Sequence, residues 1–464
     1  MKEHSQTKRK RVRKANKSAD SDELGRSCPR DGMRLVKVCD DGRYLECLCG
    51  YKFDSFLSRD VVAPETDEIS LADLLRTWHE HFHIEDDGPI LFCLATAVSN
   101  QLEGDPVWSL LVGPPSSIKT EIIRSLGEEP NDLVFPLSTL TVNTFISGQR
   151  KKVGLLHRLN GKILTIKDFT TILEKSRDAR NEILAQLREI FDGYLSKGSG
   201  NEGAEYQNVK ARITLLAGVT PVIDFYDTVM SLLGERFLKM RVKSVDPFKT
   251  GKRASRAAGN EDGIRQKIRS QTAAFLSSVE VKQLELSEEQ SDSLVKLACF
   301  TANARTGVPR DWRGTIQYLP QSEGIARLYK QLLKLAWCLV AILGREEIDS
   351  GVMKFLSRVA GDTIDARRVS ILGKLTTESA KTSIIGQRAG LPTETAKRVL
   401  EDLSLLNFVE KSGNEDKGYE WSLVDPSQIE TNKYENVTDK ERDVGLGLVF
   451  GDGGSIRVSS NSDD

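Results

Sequence analysis

The residues with the clearest chemical use lie at 107–126, VWSLLVGPPSSIKTEIIRSL. There a short apolar run stops at Gly113, Pro114, Pro115, Ser116 and Ser117 and resumes through Ile118, Lys119 and Thr120 as an amphipathic helix. An apolar run bounded by turn residues suits a buried strand. A strand, tight loop and helix in succession aim backbone N–H groups and the positive end of a helix dipole at phosphate oxygens. In such a loop Lys119 reaches the β and γ phosphates of ATP, and the Thr120 hydroxyl holds Mg2+. The pattern G-x-x-x-x-G-K-S/T has glycine where this chain has Ile118. A β-branched residue tolerates positive φ poorly, so the loop is expected to close differently there. An ordinary strand-to-helix turn carrying Lys-Thr is the plain alternative.

Three further positions fit phosphate chemistry. A strand predicted at 162–168, KILTIKD, ends in an acid, as a Walker B strand does when a carboxylate orders Mg2+ and its neighbour polarises the attacking water. With 163–166 as the strand, Lys167 takes the metal position and Asp168 the water-activating one. Shifted by one, Asp168 serves the metal and Phe169 replaces the base. Either way one acid remains, with Glu174 the nearest spare. A strand at 213–217 runs into Gly-Val-Thr-Pro, leaving Thr220 at the carboxyl edge of the sheet to face the γ phosphate. Arg236 precedes a strand at 237–242, where it would face out of its own subunit into a neighbour's nucleotide; a surface pair with Glu235 is the alternative.

A different chemistry is written at 28–53. Cys47 and Cys49 precede Gly50 as in a metal knuckle, and Cys28 lies upstream with Asp31 where a second cysteine would complete the pair. Zinc prefers four tetrahedral ligands. Cys28, Cys47 and Cys49 with Asp31 or Cys39 make a candidate Zn2+ site in a ribbon of short strands, and a degenerate ribbon without metal is the alternative.

These residues need a scaffold, and the pattern supplies one. From 133 to 242 apolar β-type runs alternate with helical ones, as in a parallel sheet covered by helices. Ahead of it, Ser70 and Asp73 form a capping box for a helix through Phe82, and 89–100 reads as a second helix. At 177–192 Ile183, Leu184, Leu187 and Ile190 recur at helical spacing and are core positions. Residues 193–203 read as a glycine-rich loop, 243–269 as a basic linker, and 271–360 as helical.

With 39% hydrophobic residues in 464, the chain can bury a large core. The longest apolar stretch, 332–343, is short of the ~20 residues that cross a bilayer, so no membrane role is expected. The basic stretch KRKRVRK at 8–14 has no apolar face. Seven cysteines fit a reducing compartment, and a cytoplasmic location is expected, with Cys93, Cys299 and Cys338 in the core. A net charge of −1 provides no global attraction for nucleic acid, so any such contact must be local.

In this order the parts at 85–365 resemble the AAA+ ATPases, and among them the minichromosome maintenance helicase group. GPPSSIKTE resembles their phosphate loop, in which a non-glycine residue likewise precedes the lysine. ITLLAGVTP resembles the sensor-1 strand, with Thr220 in place of a more usual asparagine. LLGERF resembles the arginine-finger segment, which implies that role for Arg236. YLPQSEGIARL at 318–328 resembles the lid helix carrying sensor 2, which implies that Arg327 contacts the γ phosphate. The single acid at Asp168 departs from the family and puts hydrolysis, rather than binding, in question.

Residues 365–424 read as a winged helix, with helices at 368–375, 383–389 and 393–407 and a wing around 412–418. Thr393, Glu394, Lys397 and Arg398 stand near the end that reads a major groove in DNA-binding examples, while Glu401 and Asp402 weaken the basic face. The expected organisation is a basic tail (1–26), a zinc-ribbon-like module (27–58), an AAA+ P-loop α/β core (68–245), a helical lid (260–362), a winged helix (365–425) and a polar tail (426–464), both tails disordered. The resemblance implies a ring-forming homo-oligomeric ATPase acting on DNA as a helicase, loader or translocase of a replication system or mobile element. A DNA-binding regulator that uses ATP only as a switch, and an ATPase that remodels proteins, are the rivals.

Overall fold

The computed structural model describes residues 37–39, 44–46, 52–54, 59–61, 69–146, 154–198, 206–226, 230, 235–414, 418–424, 448–451 and 455–458. The chain forms two compact units, 1–69 and 70–464. In the first, β1 (Lys37–Cys39), β2 (Tyr44–Glu46), β3 (Lys52–Asp54) and β4 (Arg59–Val61) pair in order as an antiparallel meander. Cys28, Cys47 and Cys49, like the basic stretch at 8–14, lie outside the described residues.

The second unit opens with α1 (Leu71–His81) and α2 (Gly88–Val98). The Ser70 hydroxyl accepts the Asp73 N–H and starts α1, satisfying one of the orphan donors of a helix N-terminus. Then come β5 (Trp108–Val112), α3 (Lys119–Arg124), β6 (Val134–Leu137), β7 (Ile163–Ile166), α4 (Arg177–Phe191), β8 (Tyr194–Gly198), β9 (Tyr206–Lys210), β10 (Thr214–Val219) and β11 (Phe237–Arg241). Five of these strands form one parallel sheet in the order β11-β5-β10-β7-β6. β5, β7 and β10 are buried at every residue, which is why they read as continuous apolar runs. One face packs Leu110, Leu164 and Leu215 against Ile183, Leu184, Leu187 and Ile190 of α4. Each such side chain contributes on the order of 1.5–3 kcal/mol by leaving water.

Two stretches within 193–278 differ from the sequence reading. The expected glycine-rich loop is the antiparallel β8–β9 hairpin, because Leu195 and Val209 are register partners and both enter the core. The expected linker after β11 is helical, as α5 (Pro247–Ala257) and α6 (Glu261–Ser278). Asp246 caps α5 by accepting from Phe248 and Lys249, with Pro247 in the first turn. Ile264, Ile268, Thr272, Phe275 and Leu276 give α6 a buried stripe that its polar composition masks.

Helices α7 (Glu288–Ala304), α8 (Ala326–Ile342) and α9 (Ser350–Thr363) complete the helical region. Cys93 and Cys338 are buried as expected, whereas Cys299 is only partly so. The chain continues through α10 (Ala366–Leu372), β12 (Ala380–Lys381), α11 (Thr382–Ala389), α12 (Thr393–Leu405), β13 (Val409–Asn414) and β14 (Gly418–Leu423). The three strands pair in the order β12-β14-β13 around the fully buried Trp421. Gly390 takes φ 67° between α11 and α12, a left-handed C-cap that suits glycine. The polar tail, expected without structure, contains an antiparallel pair, β15 (Leu448–Gly451) with β16 (Ser455–Val458). Among the described residues no helix is long and apolar enough to cross a membrane.

Candidate nucleotide site at the carboxyl edge of the sheet

The sheet order seats β5 between β11 and β10, with β7 beyond β10. The loop after β5, Thr220 after β10 and Asp168 after β7 therefore emerge along one edge, the carboxyl end of parallel strands where α/β sheets bind ligands. Gly113 continues the ladder by donating to the Val219 carbonyl at 3.0 Å. The loop then turns at Ser116, which carries φ 61°, while Ile118 has the helical values φ −61° and ψ −10°. The absent glycine is thus harmless, because the left-handed residue lies two positions upstream of Ile118.

Lys119 opens α3 and is only 5% exposed. Its ammonium donates to the Pro114 carbonyl at 2.7 Å and to Ser117 Oγ at 3.4 Å, so it is folded back over its own loop. Burial pushes its pKa below the ordinary lysine value, and the Asp168 charge works against that shift. Gly218 on β10 provides the space, since a Cβ there would meet the Lys167 carbonyl oxygen at 2.7 Å, Ile123 Cδ1 at 3.1 Å and Lys119 Cδ at 3.7 Å. A glycine inside an apolar strand was the sequence signal for this close approach.

Asp168 does not stand alone. Its Oδ1 accepts the Thr170 N–H at 3.0 Å, and the Thr170 hydroxyl lies 3.2 Å from that of Thr220 while accepting the Thr220 N–H at 3.1 Å. Thr170, passed over in the sequence, links Asp168 to Thr220. An acid followed two residues later by threonine at a helix start was its signature. Asp168, the acid common to both expected registers, is the one whose charge acts on Lys119. Lys167 reaches the opposite way, its Nζ 3.5 Å from Glu128. Glu174 ends the one-turn helix Thr170–Leu173 and is exposed.

Helix α6 braces the loop helix. Arg265 donates to both carboxylate oxygens of Glu121 at 3.0 and 3.1 Å, and Arg269 pairs with Glu128. At the other flank Arg241 forms a two-point pair with Asp224 at 3.0 and 2.7 Å, just after Thr220.

Arg236 and Arg327 come together elsewhere. β11 runs parallel to β5 with Phe237 opposite Trp108, so Arg236 sits at the amino edge. The length of β5, roughly 13 Å at about 3.3 Å per residue, separates it from the loop. Its guanidinium is not turned out to solvent as expected. It is 6% exposed, pairs with Asp192 at 3.0 Å and lies over the Phe191 ring at 5.6 Å. Arg327 lies over the same ring at 5.8 Å. Burial, and next the Arg327 charge, push the Arg236 pKa below its ordinary value. Arg327, the expected γ-phosphate contact, is thus grouped with Arg236 and Phe191.

Gly113–Thr120, Asp168 and Thr220 are thus brought together, and Arg236 with Arg327 form a second cluster. The Thr120 hydroxyl and the Asp168 carboxylate are hard oxygen donors of the kind Mg2+ takes. Among the described residues no group of three or more His, Cys, Asp or Glu side chains is gathered to hold a metal alone.

No family model and no curated protein matches the chain. Among solved structures it is similar to the A-form apo structure of the NrS-1 C-terminal region, at 12% identity over 66% of this chain and 74% of that chain, with a TM-score of 0.28. A second A-form apo structure, of that region's residues 305–718, has 11% identity over 73% of this chain and 79% of that one, with a TM-score of 0.26. Likeness at this level bears on neither fold nor function.

Proposed function

We propose that the chain is an oligomeric ATPase of the AAA+ class that acts on DNA, resembling the minichromosome maintenance helicases. The observation that carries this reading is the convergence of the Gly113–Thr120 loop, Asp168 and Thr220 at one sheet edge, with Lys119 and Asp168 electrostatically coupled. Backbone N–H groups of the loop would cradle the phosphates, and Lys119 would leave the Pro114 carbonyl for the β and γ oxygens. Thr120 and Asp168 would hold Mg2+, which supplies charge neutralisation at the phosphates. Thr220, tied to Asp168 through Thr170, would orient the attacking water.

Arg236 and Arg327 stand too far from this loop to serve it, which favours their use by a neighbouring subunit's nucleotide in a ring. Arg236 would first exchange Asp192 for that phosphate. The C-terminal elements are read as a winged helix, with Lys397 and Arg398 exposed on α12 for DNA phosphates. Asp402 and Glu401 do not spoil that face, because Arg310 holds both, at 2.6 and 3.3 Å.

The test is ATP turnover with and without DNA. The enzyme reading expects turnover that rises with DNA, vanishes in Lys119→Ala, vanishes in Arg236→Ala, and partly returns when those two variants are mixed. The rival regulator draws on the single acid, with Lys167 engaged by Glu128. ATP binding without turnover would select it and retire the enzyme reading. Turnover indifferent to DNA would favour a protein substrate.

A further inference from the structure

The most exposed tryptophan stands far from the phosphate loop in sequence, on a tight turn between α7 and α8. Arg310 and Ile316 form an antiparallel bridge, and Gly314, at φ 86°, closes the turn. The Asp311 carboxylate accepts the N–H groups of Arg313 and Thr315, each at 2.8 Å, which fixes the turn from within. At its tip Trp312 is 87% exposed, with the Arg313 guanidinium 4.5 Å from its ring centroid. A ring that accessible keeps one face for another planar group.

The turn is tied to α12. Arg310 donates to the Gly314 carbonyl at 2.8 Å, to Asp402 at 2.6 Å and to the Arg398 carbonyl at 3.4 Å. A Cβ on Gly314 would lie 3.9 Å from an Arg398 guanidinium nitrogen. The turn carrying Trp312 and Arg313 thus stands beside Arg398, which is exposed on α12 with Lys397 next to it in the chain. Of the nearby acids, Glu401 is paired with Arg310 and Asp402 with Arg310 and Arg368, while Asp311 accepts the turn's N–H groups with its charge intact and Glu394 is exposed one turn before Arg398.

We infer that this turn is a stacking platform for an unpaired base of a nucleic acid strand, whose flanking phosphates meet Arg313, Lys397 and Arg398. An isolated exposed indole costs free energy in water and suits any planar partner. The exposed cations Arg313, Lys397 and Arg398 outnumber the charged acids Asp311 and Glu394 beside them and select a polyanion carrying aromatic bases over an apolar peptide. The inference rests partly on reading the C-terminal module as DNA-facing, yet it concerns a different element and a single-stranded ligand.

Tryptophan emission reads it directly. The chain has five tryptophans, of which Trp78, Trp108 and Trp421 are buried and Trp337 is half-buried with its N–H on the Leu284 carbonyl. Titrating the full chain with a thymidine oligonucleotide should quench emission, and the quench should vanish in Trp312→Phe and Trp312→Ala. By fluorescence anisotropy the labelled oligonucleotide should bind Trp312→Ala roughly ten-fold more weakly, since a stacked base is worth about that factor or more. Trp312→Phe should stay within about two-fold of the parent, and blunt duplex should bind all three alike. Oligonucleotide affinity unchanged in Trp312→Ala, quenching that persists without Trp312, or no response to any oligonucleotide would each overturn the inference. ATP turnover is not part of the readout, so failure of the ATPase reading and failure of this one are distinguishable.

Discussion

Gly218→Ala is the sharpest probe of how the sheet seats its lysine. The added methyl would lie 2.7 Å from the Lys167 carbonyl oxygen, inside the distance that real Cβ atoms keep, and 3.1 Å from Ile123 Cδ1. The carbonyl cannot swing away freely, because β7 and β10 are paired up to Ile166 and Ala217 and the Phe169 N–H donates to the Gly218 carbonyl at 2.6 Å. Either the carboxyl ends of the two strands part or α3 is pushed off the sheet. Overpacking of this kind costs about 1–3 kcal/mol. At about 2.1 cal/mol/K of unfolding entropy per residue, a unit spanning 70–464 shifts by about 1 °C per kcal/mol, so the melting temperature should fall by roughly 1–4 °C. Both routes also displace Lys119 relative to Asp168, so ATP affinity should drop by more than the stability loss explains. The assay is a thermal melt with an ATP titration on the same preparation. Gly251→Ala is the control, in mid-α5 with no heavy atom within 4 Å of its Cβ position. It should be neutral or gain up to about 1 kcal/mol. A Gly218→Ala protein as stable as the parent would refute the steric argument, and one that is destabilised but binds ATP normally would refute its link to Lys119.

Other outcomes follow from the same geometry. Burial raises the Asp362 pKa to about 6 despite the Arg241 N–H and the Arg358 and Arg241 charges around it. A folded-state pKa above the unfolded value means that the folded chain holds the proton more tightly. This contribution is therefore full below about pH 4 and is lost as pH rises through about 6, by at most about 1.4 kcal/mol per pH unit. Asp362→Asn should remove that slope from urea midpoints measured between pH 4 and 7. Thr170→Val should leave ATP affinity within about three-fold while lowering turnover, because it cuts Asp168 from Thr220 without touching the loop; single-turnover kinetics would check it. Glu121→Ala releases Arg265 and should cost about 1 kcal/mol in a urea melt, discounted because both partners are partly exposed.

The sequence was most legible where local pattern and tertiary role coincide. The buried runs of β5, β7 and β10, the Ser70 cap and the apolar stripe of α4 follow from periodicity and capping, since each is a property of neighbours in the chain. So does the turn between β5 and α3, which its glycine and prolines mark. The hairpin at β8–β9 was missed because its pairing depends on Leu195 meeting Val209 across fourteen positions. Helix α5 and the first half of α6 were missed because basic and polar residues dominate the composition of 243–269, and only the packed fold shows that Ile264 and Ile268 turn inward.

What the sequence determined by itself is the inventory, namely a buried strand, a Gly-Pro-Pro-Ser-Ser turn and a helix opening on Lys-Thr, one acid, a threonine after a buried strand, and two arginines downstream. Only the tertiary structure decided their grouping. Strand order put Asp168 and Thr220 beside Lys119, and parallel register put Arg236 a strand's length away, against Asp192 and Phe191. The reason is physical. Order in a parallel sheet is set by which crossover helices cover which face, a global packing choice that no window of neighbouring residues encodes.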